Sequence, residues 1–102
     1  MIEWAAAAWT ELAGRVPAAA AAILPVGATE AHGPHLPLDT DVIIAVEAAR
    51  RASAALAAAG TVAPVLPPLA YGVTEVGRPF VGTVGIRPAT LRALVEDIGA
   101  AL

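Results

Sequence analysis

The residues best suited to chemistry lie in one short segment, residues 27–41, which holds both histidines and three of the nine acidic residues. Glu30 and His32 are two positions apart, so in extended backbone their side chains project to the same side. A carboxylate oxygen and an imidazole nitrogen make a suitable first pair of ligands for zinc or manganese. Asp41 follows a proline-containing turn, and we expect it to fold back and supply a third ligand.

A carboxylate has two oxygens, so Asp41 is also suited to bridging two metal ions. Two ions a few ångströms apart would polarise a substrate carbonyl and activate bound water. Structural interpretations compete with this one. Asp39 and Asp41 are typical of a helix N-terminus, through capping and the helix dipole. Glu30 fits a solvated loop, and His35 beside prolines is typical of a structural hydrogen bond. Taken alone, Glu-x-His is a loose pattern with frequent false positives, and spacing favours the structural interpretation.

The elements that must position this segment are a buried strand before it and a helix after it. Residues Ala20–Gly27 are apolar and end at glycine, which predicts a short buried strand. Residues Thr29–Thr40 are predicted to form a loop. A helix is predicted to begin at residues 39–41, where short polar side chains cap exposed N–H groups, and to end at Gly60. Its expected apolar face consists of Val42, Val46, Ala49 and Leu56.

The rest of the chain completes an alternation of helices and strands. Residues Glu3–Ala13 are alanine-rich with helical spacing and predict a first helix. Thr61–Leu66 predicts a second strand and Val81–Ile86 a third extended piece. Pro88 fits the first position of a final helix. This order predicts an α/β fold with a mostly parallel sheet.

Composition excludes several classes of function. A chain of 102 residues allows one domain at most. The formal net charge is −3 and the basic residues form no stripe, which argues against a nucleic-acid partner. The absence of cysteine excludes disulfides and thiol nucleophiles. The N-terminus lacks the features of a signal peptide, and glycines and prolines interrupt the long uncharged run Ala52–Thr74. We therefore expect no membrane span and a cytoplasmic protein.

Two further sets of residues are weaker candidates. Ser53 is the only serine and lies in a predicted helix without a neighbouring histidine, so a serine nucleophile is not expected. Tyr71-Gly72 and Phe80–Thr83 can bring a hydroxyl and backbone near a substrate, but turn formation and core packing are the favoured interpretation. The aliphatic core is thin for an independent globule, so we expect additional burial from more chain or a partner subunit.

The segment Leu24–Asp41, Leu-Pro-Val-Gly-Ala-Thr-Glu-Ala-His-Gly-Pro-His-Leu-Pro-Leu-Asp-Thr-Asp, strongly resembles the signature of the creatininase (creatinine amidohydrolase) family. A second region is similar as well: Pro67–Gly72, then Phe80–Val84, with Arg87–Leu91 opening the next helix. The resemblance covers most of the chain, and the first motif is specific. It turns the metal-site interpretation into the favoured one.

The resemblance implies a three-layer αβα fold with a mostly parallel sheet. It implies metal-dependent hydrolysis of a small-molecule amide, cleaving a cyclic amide, formamide or related C–N bond. Two divalent ions are implied, zinc or manganese, with iron also compatible. By motif position, Glu30 and His32 each hold a metal and Asp41 bridges the pair. His35 is implied to support a ligand rather than to bind metal. Homo-oligomers, often hexamers, are implied too.

The sequence departs from the family pattern in three places. Phe80-Val81-Gly82-Thr83 stands where many relatives have Phe-Pro-Gly-Thr, and Glu75–Arg78 lacks a Glu-His pair seen in several relatives. Family enzymes are also more than twice as long. We therefore expect residues 1–102 to be the N-terminal part of a single larger domain, inactive alone, with catalytic residues beyond residue 102. The alternative is a non-catalytic half-domain that serves as an interaction or regulatory module. The sequence leaves the substrate open.

Overall fold

The computed structural model describes all residues, 1–102. Its regular elements are three α-helices and two short 3-10 helices, and its extended segments pair through isolated bridges rather than through continuous strands. The α-helices are α1 (Trp9–Arg15), α2 (Thr40–Ala58) and α3 (Pro88–Ala101), and the 3-10 helices are Trp4–Ala6 and Val16–Ala18. None of these helices combines the length and the apolar character that crossing a bilayer requires.

The chain divides into two compact units. The first consists of Met1–Pro25 and Ile44–Pro68, and the second of Val26–Ile43 and Leu69–Leu102. We call them the first and second units.

The first unit is organised around Val65. Glu3 and Ile23 both pair with Val65 in the parallel sense. The Val65 N–H donates to the Ile2 carbonyl at 2.8 Å, and the Trp4 N–H donates to the Val65 carbonyl at 2.9 Å. The Leu66 N–H donates to the Ile23 carbonyl at 2.8 Å. Three extended segments therefore meet at this residue.

The core of the first unit is aliphatic with one polar member. Val65 is only 2% exposed, and its buried neighbours are small or branched apolar residues. Ser53 is buried on α2, where its hydroxyl donates to the Ala63 carbonyl at 2.6 Å. This bond satisfies the hydroxyl, as burial requires, and it fits the expectation that Ser53 is no nucleophile. The buried apolar residues of this unit are Ile2, Ala49, Ala63, Val65 and Leu66.

The predicted first helix over Glu3–Ala13 is wrong in its extent. Glu3 is extended and paired, which takes it out of any helix, and only Trp4–Ala6 form a 3-10 turn. Ala7 and Ala8 are extended, and α1 begins at Trp9 and continues through Arg15. The Ala8 N–H donates to the Glu11 carboxylate at 3.4 Å, which caps the new start. Pairing with Val65 thus overrides the helix propensity of the alanines.

The second unit combines parallel and antiparallel pairing. Val26 pairs with Leu69 in the parallel sense, and Thr29 pairs with Val84 in the antiparallel sense. Two of the five bridges in the chain are antiparallel. The other three are parallel, but these are isolated bridges, so the mostly parallel sheet stays a prediction. The three-layer arrangement of a complete sheet stays a prediction.

The predicted extended piece Val81–Ile86 begins later than expected. Successive turns occupy the chain before it, with the Phe80 N–H donating to the Gly77 carbonyl at 3.0 Å and the Thr83 N–H to the Phe80 carbonyl at 3.3 Å. Pairing with another segment starts only at Val84. The turn hydrogen bonds therefore hold residues 80–83 out of the extended conformation.

The two long helices begin and end close to their predicted positions. The start of α2 at Thr40 and its end before Gly60 confirm the predicted helix. The Ile43 N–H donates to the Asp39 carbonyl at 2.9 Å, and the Thr40 hydroxyl donates to the Pro37 carbonyl at 2.6 Å. The expected apolar face is partly wrong, because Leu56 is exposed and Ser53 is buried instead. Pro88 is the first residue of α3, as predicted.

Candidate metal centre

The three residues singled out as ligands meet in the second unit. Glu30, His32 and Asp41 each offer one ligand atom, and these atoms all lie within 4.8 Å of one another. All three side chains are half-buried. Donor atoms that share one zinc ion at about 2.0–2.2 Å stand about 3–4 Å apart, so the cluster has nearly the dimensions of a metal site.

A tight hairpin brings the ligands together. His32 pairs with Leu36 in the antiparallel sense, and Gly33 between them has φ +70°, a conformation that glycine adopts without strain. The Glu30 N–H donates to the Leu38 carbonyl at 3.0 Å. This hydrogen bond joins the two arms of the hairpin outside the His32–Leu36 pair. The chain consequently returns past Glu30 and His32 just before α2 begins, and this return places Asp41 beside them.

Gly27 permits the close approach that completes this arrangement. A Cβ atom at Gly27 would lie 2.7 Å from the backbone nitrogen of Val42, the residue that follows Asp41. Any side chain there would push the first turn of α2 away from the segment that leads into Glu30. Glycine is thus required at position 27, because backbone packs directly against backbone there.

Two hydrogen bonds fix the ring of His32. Its Nδ1 lies 3.1 Å from the Glu30 carbonyl oxygen, and its Nε2 lies 3.0 Å from Asp41 Oδ1. A carbonyl oxygen only accepts hydrogen bonds, so the proton of the neutral ring belongs on Nδ1. The lone pair of Nε2 then faces the carboxylate. This tautomer is the one a histidine uses when Nε2 binds a metal and Nδ1–H is held by a carbonyl.

The same contact is unfavourable without a cation. A lone pair on Nε2 and a carboxylate oxygen at 3.0 Å are both acceptors, so they repel unless a proton or a metal ion lies close to both. The donor set of two carboxylates and one imidazole suits zinc, manganese and iron. The residues present therefore fit a divalent metal ion.

In the metal-free chain a proton on Nε2 can take that role. The hydrogen bond to the Glu30 carbonyl raises the pKa of His32 above its usual value of 6.5, and the negative charge of Asp41 and its hydrogen bond raise the pKa further. Partial burial acts in the opposite direction. Metal and proton consequently compete for the same nitrogen.

His35 lies apart from the three ligands. Its side chain is exposed and folds back over Gly33, with Cε1 3.3 Å from the position a Cβ would take there. It is not a member of the cluster of ligand atoms. Its role in supporting a ligand stays a prediction.

The residues around Phe80 contribute in a way that the sequence did not indicate. Tyr71 and Phe80 are exposed, while Thr83 is half-buried and its hydroxyl accepts the Ala31 N–H at 3.0 Å. Ala31 lies between two of the candidate ligands. Thr83 therefore directly contacts residues 27–41, which we call the site segment. The sequence places these residues 52 positions apart, and only the resemblance of both segments to one family linked them.

An apolar hollow borders the same segment. Its volume is about 420 Å³, and it is open to solvent beside the backbone between Glu30 and His32. Phe80 and Val81 form its outer side and are themselves exposed. The residues that line the hollow are Ala31, Gly33, Pro34, Leu38, Phe80 and Val81.

The fold and site define a class of protein: an α/β chain with a carboxylate–imidazole–carboxylate cluster after an extended segment. The family model described as "Creatininase: Creatinine amidohydrolase" matches residues 5–102. The chain belongs to the creatininase family. This confirms the resemblance found in the sequence and assigns the chain to the α/β fold of that family.

Individual relatives agree with the family assignment. The chain is 46% identical over 78 residues to the mycofactocin precursor peptide peptidase of Mycolicibacterium smegmatis, covering 76% of this chain and 32% of that protein. A solved structure described as "Creatininase Mn" matches with a TM-score of 0.82 and 31% identity, over 95% of this chain and 38% of that one. A second, "E122Q mutant creatininase, Zn-Zn type", matches with a TM-score of 0.76 and 32% identity, over 90% and 36%. The chain thus spans about a third of the length of these relatives.

Proposed function

We propose that this chain supplies part of the metal centre of a creatininase-family amidohydrolase, which hydrolyses an amide or related C–N bond. Glu30, His32 and Asp41 are the proposed ligands. The observation that carries the proposal is the 3.0 Å approach of His32 Nε2 to Asp41 Oδ1 while Nδ1 is committed to the Glu30 carbonyl. A neutral histidine gains nothing from a lone pair turned toward a carboxylate, whereas a metal ion bound by both atoms makes the contact favourable.

Two divalent ions are proposed; Glu30 and His32 would each hold one, and Asp41 would be shared by the pair. Solved relatives described as manganese and as zinc–zinc forms support these metals. When bound, the ions supply Lewis acidity toward a carbonyl oxygen and lower the pKa of water. Two ions with about three protein ligands each need more donors than these side chains provide. We propose that the further ligands come from outside residues 1–102.

The chain's own residues hold and orient this half of the centre. The hairpin from Glu30 to Leu38 fixes the separation between the first two ligands and α2. The Nδ1–H bond of His32 keeps the free nitrogen aimed at Asp41. We further propose the three-layer αβα arrangement for the complete domain, a homo-oligomeric cytoplasmic enzyme, and a small amide or a peptide bond as substrate. The similarity to both a peptide peptidase and creatininases leaves these two substrate classes to be compared directly.

Metal titration of the 102-residue chain tests the ligand assignment. Zinc and manganese are titrated calorimetrically into the chain and into His32→Gln and Asp41→Asn, with bound metal counted after gel filtration. We expect uptake by the wild type and a loss of about 100-fold or more in affinity for each variant, because a lost ligand removes a direct bond to the ion.

The matched controls are His35→Gln and Asp39→Asn, which alter the other histidine and the neighbouring aspartate of the same segment. Both are expected to bind metal within a few-fold of the wild type. Equal affinity in all five proteins would contradict the proposal, as would a wild type that takes up no metal.

The second candidate function is a non-catalytic half-domain that serves as an interaction or regulatory module. It predicts a folded species that binds metal or a longer homologue without turnover. The two functions are separated by assaying the metal-loaded protein against creatinine, formamides and short peptides. Size-exclusion chromatography with mass detection is run on the same samples. Hydrolysis that is lost in Asp41→Asn supports the enzyme, while a stable complex without hydrolysis supports the module.

A further inference from the structure

The peptide group between Glu30 and Ala31 is held at both of its ends. Its N–H, from Ala31, donates to the Thr83 hydroxyl at 3.0 Å. Its carbonyl, from Glu30, accepts from Nδ1 of His32 at 3.1 Å. The same peptide therefore joins Thr83 on one side to the imidazole ring on the other.

The planarity of the peptide makes these two contacts dependent on each other. The N–H and C=O of one peptide point in opposite directions in one rigid plane, so fixing the direction of the N–H also fixes that of the carbonyl. Hydrogen bonds at both ends polarise the group, which strengthens each of them. The position of the Thr83 hydroxyl thus affects the orientation of the His32 ring, because one rigid peptide joins the two.

Thr83 is itself held in place by the segment that pairs with the site. The N–H of Val84, the next residue, donates to the Thr29 carbonyl at 2.9 Å, and the Thr29 hydroxyl donates to the Ala70 carbonyl at 2.7 Å. Backbone hydrogen bonding secures Thr29. Two residues later, the N–H of Ala31 donates to a side-chain oxygen, that of Thr83, and not to a backbone carbonyl. The Thr83 hydroxyl is consequently the side-chain acceptor that holds the N–H end of the peptide between two proposed ligands.

We infer that Thr83 is a positioning residue that sets the tautomer and direction of the His32 ring through the Glu30–Ala31 peptide. This inference rests on the proposed metal-binding function of His32. Its consequence is that Thr83 tunes metal affinity without touching the metal. With the Ala31 N–H unpaired, the peptide is free to turn, and the Glu30 carbonyl no longer holds the proton on Nδ1.

The test uses three substitutions in the 102-residue chain. Thr83→Val keeps the shape of the side chain and removes the acceptor, and Thr83→Ser keeps the hydroxyl. Thr90→Val is the matched control, because Thr90 lies on α3 and is not the residue that accepts the Ala31 N–H. Nitrogen-15 NMR of the imidazole reports the tautomer, hydrogen exchange reports the Ala31 amide, and calorimetry reports zinc affinity.

For Thr83→Val we expect a mixed His32 tautomer, roughly tenfold faster exchange of the Ala31 amide and roughly tenfold weaker zinc binding. Thr83→Ser is expected to restore all three readouts, and Thr90→Val to leave them unchanged. A residue that only stabilises the fold would lower the melting temperature without changing the tautomer of the folded protein.

The outcomes separate this inference from the proposed function. If the wild type binds zinc and Thr83→Val binds it equally well with an unchanged tautomer, the inference is overturned and the metal site stands. If the wild type binds no metal, the proposed function fails and the inference fails with it. Loss of binding in Thr83→Val without rescue by Thr83→Ser would also overturn the inference, because the hydroxyl alone would then not account for the effect.

Discussion

The two units of the chain are built in different ways. In the first, aliphatic side chains around Val65 are buried against one another. In the second, the only buried residue of the hydrophobic class is Ala28, and its interior is made of glycines, hydroxyls and backbone in close contact. Side-chain volume holds the first unit together, while the second depends on hydrogen bonds and on the absence of Cβ atoms. The proposed metal ligands lie in the second kind of structure, where positions are set by directional bonds.

This contrast predicts that the second unit is the more sensitive to added atoms. Gly27→Ala places a Cβ 2.7 Å from the Val42 nitrogen, and neither backbone segment can yield without moving Asp41. We expect a loss of about 3 kcal/mol in the free energy of unfolding, as for severe overpacking, together with loss of zinc binding. Urea denaturation and zinc titration measure the two effects.

Gly99→Ala is the control for this experiment, since a Cβ at Gly99 in α3 meets nothing within 4 Å. Alanine in a helix interior is expected to stabilise the chain by about 0.5–1 kcal/mol relative to glycine. A Gly27→Ala protein as stable as wild type, with intact zinc binding, would mean that backbone proximity does not define the site.

The first unit is expected to respond to lost atoms instead. Val65→Ala removes two methyl groups from a side chain that is 2% exposed. The expected cost is about 2 kcal/mol in the free energy of unfolding, from lost burial and the cavity left behind. Val76→Ala, at a position 89% exposed, is the matched control and is expected to change stability by less than about 0.5 kcal/mol.

Chemical denaturation gives both values. Zinc affinity is measured under conditions where Val65→Ala is still folded. An affinity equal to that of the wild type would sharpen the contrast, because lost volume in the first unit would then leave zinc binding unchanged. Equal costs at the two valines would show that Val65 is not a core residue, and the distinction between the units would then lose its basis.

The contrast also explains what the sequence could predict. Apolar runs and helix signals depend on local composition, so the starts of α2 and α3 and the buried segment at Val65 follow from the sequence. The grouping of Glu30, His32 and Asp41 was also predicted, because all three lie within one short segment. The split of the first helix was not, since pairing of Glu3 with Val65 links residues far apart in the chain.

The sequence indicates Thr83 as a weaker candidate, but it does not predict the contact of its hydroxyl with Ala31. Its hydroxyl meets a backbone N–H 52 residues away, and a backbone group has no sequence signature. Residue patterns describe side chains, whereas the second unit is held largely by main-chain partners. The family resemblance placed both segments in one site but did not show the contact between them.

The smallest expected effect concerns the proton that His32 shares with Asp41. Because the Glu30 carbonyl and the Asp41 carboxylate raise the pKa of His32 in the folded chain, the protonated pair stabilises the metal-free fold. The sign follows from linkage: this contribution is fully present below 6.5, the usual value, and is lost as the pH rises through the folded pKa. Zinc affinity is expected to rise over the same interval, because the metal needs the deprotonated nitrogen.

NMR titration of the imidazole C–H resonances in the metal-free chain measures this directly. We expect a His32 midpoint above 6.5 in the wild type, and a lower one in Asp41→Asn, which keeps a carbonyl oxygen near the ring but removes the charge. The Glu30 hydrogen bond remains in that variant, so part of the elevation of the pKa should persist. A wild-type midpoint at or below 6.5, or one that Asp41→Asn leaves unchanged, would mean that the carboxylate does not act on the ring. The second unit would then hold three polar residues near one another without the electrostatic coupling that a shared cation requires.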